Sequence, residues 1–211
     1  MIRQRRHPAA TQGTSRLEAF TDGVFAIAAT LLVLDLTSYT LGPVTSDADM
    51  WAALGGMWEL FFNFVLSFVL LCLLWMTHVQ QFEHVARVDG TIVWLNSGRL
   101  LFIVLVPFAT SLTTEYSEWV AGRLLMPVTF FLAILCSYLQ WLWAVRDRET
   151  MMPDLSDADA KAYGRGALSA LIISAAVVVL APLIGSFAFA LFVFDPVGTR
   201  LFRGKGDRDT S

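Results

Sequence analysis

Arg16-Leu17-Glu18-Ala19-Phe20-Thr21-Asp22 stands at the mouth of an uncharged apolar segment, residues 23–34. A charge in or beside hydrocarbon is costly, so ionisable groups at such a place face a bundle interior or a water-filled cavity and are candidates for function. The stretch therefore points to an all-α integral membrane protein. Composition agrees: 56% of the 211 residues are hydrophobic and 16% charged, with mean hydropathy +0.60, against about 45–50% and about 25% in soluble domains.

Five hydrophobic blocks follow one another, at about 17–39, 54–82, 92–112, 124–145 and 167–197. Each of the first four approaches the roughly 20 apolar residues a spanning helix needs. The last is longer and carries Pro182 and Gly185 near its middle. Proline removes a backbone donor and disfavours helix before it, so this block is expected to fold back as two helices meeting near 181–185. Six transmembrane helices result, forming a domain over 14–203 between a basic tail at 1–13 and a polar tail at 204–211, both expected to be disordered.

Loop charge tests that count. With six helices, one side receives Arg3, Arg5, Arg6, Arg87, Arg146, Arg148, Lys161, Arg165, Arg200, Arg203, Lys205 and Arg208. The other receives Arg123 with Asp47, Asp49, Glu115 and Glu118. Basic loops stay cytoplasmic, which puts both termini there. Arg3, Arg5 and Arg6 before an apolar segment imitate a secretory signal, but charges interrupt its entry and no small-x-small cleavage site follows Leu36, so the first helix is read as retained.

The first helix carries the sharpest pattern. Ile27, Thr30, Leu31 and Leu34 fall at i, i+3, i+4 and i+7, with Gly23 and Phe20 extending the stripe. Periodicity alone reads most simply as packing. Asp22 lies five residues before Ile27, about 140° round the helix, so it points away from the stripe toward neighbouring helices. His78 on the second helix, three residues after Trp75, and Asn96 and Ser97 on the third are the partners on offer.

The opening stretch resembles the Arg-x-x-x-Phe-Ser-Asp motif on the first helix of the transmembrane-protein-175 family of potassium channels, with Thr21 in the serine position. Trp75-Met76-Thr77-His78, the pair Leu95-Asn96 and the run Val106-Pro107-Phe108-Ala109-Thr110 resemble family features on the second and third helices. The resemblance implies that the first helix lines a conduction path constricted at Ile27, Thr30 and Leu34, with Leu31 between them. It implies that Arg16, Phe20, Thr21, Asp22, Trp75, His78, Asn96 and Ser97 form a polar network holding that helix. No second copy of the motif follows Asp22. Two-repeat animal members assemble as dimers, so a single repeat implies a homotetramer, with the first helices at a four-fold axis, in a prokaryotic plasma membrane.

The chemistry expected of such a pore is unusual. Thr-Val-Gly-Tyr-Gly, the carbonyl filter of most potassium channels, is absent from the chain. A ring of Ile27 and Leu34 would instead make a constriction that gates by dewetting, and Thr30 would offer hydroxyl lone pairs to a partly dehydrated K+ ion. The plainer reading of Thr30 is a hydroxyl bonded back to the carbonyl of residue 26. Asp35, inside the apolar segment, is the better outer-mouth candidate than the loop acids.

Other classes find little support. Neither a Ser-His-Asp nor a His-Glu-x-x-His arrangement appears, so an enzyme is not expected. Cys72 and Cys136 sit in apolar runs and read as buried reduced thiols, while His78 and His84, six apart, occupy different helix faces, so neither metal nor other cofactor is expected beyond the permeating K+. A net charge of -3 with basic residues at helix ends excludes a nucleic-acid surface. The expected partners are lipid, K+ and further copies of the chain. The alternatives kept are a proton-permeable or weakly selective cation leak and, behind it, an ion-coupled secondary transporter, for which only Pro107, Pro127 and Pro182 hint at broken helices.

Overall fold

The computed structural model describes residues 14–194, all helix and connecting turns apart from a single bridge residue, Val88. The two expected tails, and the end of the sixth segment beyond 194, lie outside the described residues. In chain order come α1 (Ser15–Leu31), α2 (Val33–Ser38), α3 (Asp47–Gly56), α4 (Trp58–Phe82), α5 (Gly90–Glu115), α6 (Val120–Arg146), α7 (Arg148–Met151) and α8 (Asp157–Ile184), then a 3-10 segment, Gly185–Phe194.

Five stretches are long and apolar enough to cross a membrane, at 15–37, 58–82, 90–115, 120–146 and 157–192. Helix α2 continues α1, since the intervening Leu32 keeps helical torsions. Two features differ from the sequence reading. The first loop contains the short helix α3, started by the Ser46 hydroxyl accepting from Asp49 N. Helix α8 starts at Asp157, ten residues before the apolar block, because the Ser156 hydroxyl caps it by accepting from Asp159 N.

Side-chain hydrogen bonds set the helix directions. Asn63, Ser67 and His78 of α4 meet Thr114, Thr110 and Arg99 of α5, so partner numbers fall as α4 advances and the pair is antiparallel. Helix α1 runs along α5, since Thr21 meets Asn96 and Phe25 meets Arg99, and therefore against α4, which Asp22 meets at Trp75. The principal core joins Phe25 and Ala28 of α1, and Leu32 between α1 and α2, to Leu71 of α4, Ile103 of α5 and Phe130 of α6.

A second core closes one end of the bundle. Val85 and Val88 from the α4–α5 link pack with Trp141, Met151, Met152 and Leu155. Trp143 Nε1 donates to Asp89, which also caps α5 by accepting from Ile92 N, and Arg148 pairs with Asp157. The fold thus gathers Arg87, Arg146, Arg148 and Lys161 at this end and Asp47, Asp49, Glu115 and Glu118 at the other.

The break expected near 181–185 falls at Gly185, whose φ of 59° is open to glycine without a Cβ clash. Helix α8 passes through Pro182 unbroken. Arg123 of α6 donates to the Pro182 carbonyl, which sets those two residues level. Phe130 lies seven residues farther along α6, about 10 Å toward the other end, and Phe189 packs edge-on against it at 5.7 Å. The chain therefore reverses at Gly185. The returning arm is 3-10 rather than α over its described length.

The α5–α6 turn is the tightest joint. A Cβ on Gly122 would lie 2.0 Å from the Tyr116 carbonyl oxygen, and backbone there has no room to retreat. Thr113 Oγ1 spans the joint, donating to the Gly122 carbonyl and accepting from Met126 N. Gly122→Ala should lower stability by about 1–3 kcal/mol through overpacking. Thermal unfolding in detergent is the check, and a midpoint equal to the parent's would show that the turn relaxes freely.

Candidate functional site

The continuous helix formed by α1 and α2 has two unlike faces. Thr21, Phe25, Ala28 and Leu32 are buried in the subunit. The predicted stripe lies about 140° round from them, and all four of its residues are exposed, Ile27 by 60% and Leu34 by 55%. Phe20 and Gly23 extend that exposed face. One subunit therefore offers the stripe to something outside itself.

Thr30 is bonded back, but to Ile27 O at 2.8 Å and not to residue 26. Donating its proton leaves the hydroxyl lone pairs free to accept or coordinate. Asp35 does not join the stripe: it is half-buried and hydrogen-bonds Ser111 of α5.

The polar residues come together in pairs that differ from those expected. Asp22 accepts from Trp75 Nε1 at 2.8 Å and is exposed, so its partner is Trp75 and not His78. Thr21, fully buried, accepts from Asn96 Nδ2 at 2.9 Å. Ser97 donates to Val93 O of its own helix and takes no part. Arg16 is exposed at the start of α1. Cys72 and Cys136 are half-buried free thiols, so their burial was overestimated.

The residue at the centre is one the sequence reading passed over. Arg99 of α5 is fully buried. Its Nη2 donates to the Leu74 carbonyl at 2.6 Å and its Nη1 meets His78 Nδ1 at 3.1 Å. The guanidinium carbon also lies 5.7 Å from the centre of the Phe25 ring on α1, a cation–π contact. A guanidinium has only donors, so His78 Nδ1 must accept and the imidazole is neutral with its proton on Nε2. Protonating His78 would set two cations side by side. The ring packs on Phe82 at 4.3 Å. A signal was available: Arg99 is an arginine seven residues into the third apolar block, which marks a functional candidate by default.

Residues 16–107 match the family model of the endosomal/lysosomal potassium channel TMEM175. Over the full fold, the chain is similar to the crystal structure of a lysosomal potassium-selective channel TMEM175 homolog from Chamaesiphon minutus. The TM-score is 0.61 and the identity 27%, covering 87% of this chain and 98% of that one. Over residues 16–107 the chain is thus similar to the TMEM175 family.

A potassium channel of Streptomyces collinus is 40% identical over 103 residues, 49% of this chain and 48% of that protein. The endosomal/lysosomal proton channel TMEM175 of Danio rerio is 32% identical over 157 residues, 70% of this chain and 30% of that protein. The chain thus spans about half the length of the bacterial relatives it matches. The potassium channel MtTMEM175 shares the fold, with a TM-score of 0.60 at 18% identity. The chain is an integral membrane protein, and its similarity to the family model covers α1, α4 and most of α5, the helices that carry the polar pairs.

The buried pair, rather than the exposed acid, should govern assembly. Truncating one partner of a buried charged hydrogen bond leaves the other uncompensated at about 3–5 kcal/mol. His78→Ala should therefore lower the unfolding temperature and the oligomer yield on size exclusion far more than Asp22→Ala. The reverse order would mean that Asp22 is buried in the assembled protein and carries the constraint.

Proposed function

We propose that the chain is one subunit of a potassium-permeable cation channel whose pore is lined by α1, without chemical turnover. The observation that carries this reading is the exposure of Ile27, Thr30, Leu31 and Leu34 on a helix whose other face is buried in its own subunit. A single α1 encloses nothing, so closure needs several copies around an axis, and a homotetramer with four α1 helices is the assembly proposed. Relatives named potassium channels supply the ion. Six spans per subunit, both termini cytoplasmic and a prokaryotic plasma membrane complete the proposal, with the end that carries Arg87, Arg146, Arg148 and Lys161 facing the cytoplasm.

In this reading Ile27 and Leu34 close the path by expelling water, and Thr30 gives a passing ion a ring of oxygens. Asp22, Trp75, Thr21 and Asn96, with Arg99 and His78 behind them, hold the helix at its rotation and height. Proton passage is a second reading, favoured by the vertebrate relatives named proton channels. A pH-sensitive dye in the same liposomes distinguishes the two.

Two outcomes are expected from liposomes loaded with potassium. Ile27→Asn and Leu34→Asn should raise flux by wetting the constriction, whereas Val33→Asn, exposed on another side of the helix, should not. If Val33→Asn alone altered flux, the stripe would not be the pore wall. Thr30→Val keeps the shape and removes the hydroxyl, so the reversal potential under opposed potassium and sodium gradients should move toward zero with flux retained. An unmoved reversal potential would make Thr30 a helix-bonded structural group and place discrimination in the apolar rings.

A further inference from the structure

At the acidic end of the bundle a cavity of about 450 Å³ opens between the start of α4, the α5–α6 turn and the reversal at Gly185. Its chemistry has two halves. Arg123 stands in one, donating Nε to the Ser117 carbonyl at 2.5 Å and Nη1 to the Pro182 carbonyl at 2.9 Å. A guanidinium carries five N–H donors, so these two bonds fix the group in place and leave about three for another acceptor.

The other half suits a cation. Glu59 and Glu118 line it, as does Asn63. Asn63 is 1% exposed, and its Oδ1 has no partner among the described residues although its Nδ2 donates to Thr114. The wall is aromatic: Phe62 stacks on Phe187 at 5.2 Å and meets Trp58 at 6.4 Å. Two carboxylates, an orphan carbonyl and ring faces together favour an ammonium group. Leu183 and Phe187 at the rim are exposed, which gives an acyl chain apolar surface to follow. Helices begin and end at this depth, where headgroups lie.

We propose that this cavity holds the headgroup of a zwitterionic aminophospholipid, with its phosphate on Arg123 and its ammonium among Glu59, Glu118 and Asn63. The cavity lies at the far end from the polar pairs around Arg99, and the proposal depends on membrane placement and not on which ion is conducted. A lipid rather than a soluble phosphoamine is indicated by the apolar rim.

The test uses the full chain purified in detergent and titrated with phosphatidylethanolamine or phosphatidylglycerol, read by native mass spectrometry and by the unfolding midpoint. Phosphatidylethanolamine should bind about fivefold tighter or more. Glu59→Gln combined with Glu118→Gln should abolish that preference while leaving elution unchanged. Arg123→Lys, which keeps a charge but loses the fork, should weaken both lipids. Should Arg123→Lys unfold through its hold on Pro182, the double glutamine variant decides alone. Equal binding of the two lipids, a preference that survives in the double variant, or displacement by free phosphoethanolamine at the lipid's own concentration would each overturn the proposal.

Discussion

A buried guanidinium inside a membrane bundle constrains everything around it, because it cannot be moved without leaving donors unpaired in an apolar medium. Arg99 resolves this in part: a helix carbonyl, an imidazole nitrogen and a phenyl face surround it, while its Nε has no hydrogen-bond partner among the described residues. Two of those partners belong to α4 and the third to α1. The one side chain therefore fixes how α4 and α1 sit against α5. It also fixes the tautomer of His78, which must accept and so stays neutral in this arrangement.

Around that point the smaller polar pairs act as registers. Thr21 to Asn96 and Asp22 to Trp75 tie α1 to its two neighbours within a single turn of helix. In a membrane the apolar faces give little preference for one rotation over another, since lipid is as apolar as a neighbouring helix. Specific hydrogen bonds then decide rotation and height. The consequence is that α1 and its continuation α2 present Ile27, Thr30, Leu31 and Leu34 outward as a set.

The acidic end is organised by absence of side chain. Gly122 admits the Tyr116 backbone and Gly185 supplies a torsion closed to other residues, so α6 can begin and the last segment can turn back in little space. Arg123 then bridges the two joints by its bond to Pro182. The cavity beside it is what remains when three helix ends meet at glycine-permitted angles.

The membrane class, the helical blocks and the stripe on α1 were determined by the sequence, because length, hydropathy and a 3.6-residue period act along one helix and need no neighbour. The same local logic placed a break near 181–185, whereas a polar layer across Thr21, Trp75, His78 and Asn96 was implied by the family resemblance. What a single helix cannot specify is which neighbour each polar group meets, since that depends on the relative height and rotation of two axes. So Asp22, offered His78, Asn96 and Ser97, is given by packing to Trp75, and Ser97 bonds its own helix instead of the network. Arg99 was legible as a charge in an apolar block, yet only the tertiary structure, by burying it between α4 and α1, made it the centre of the site.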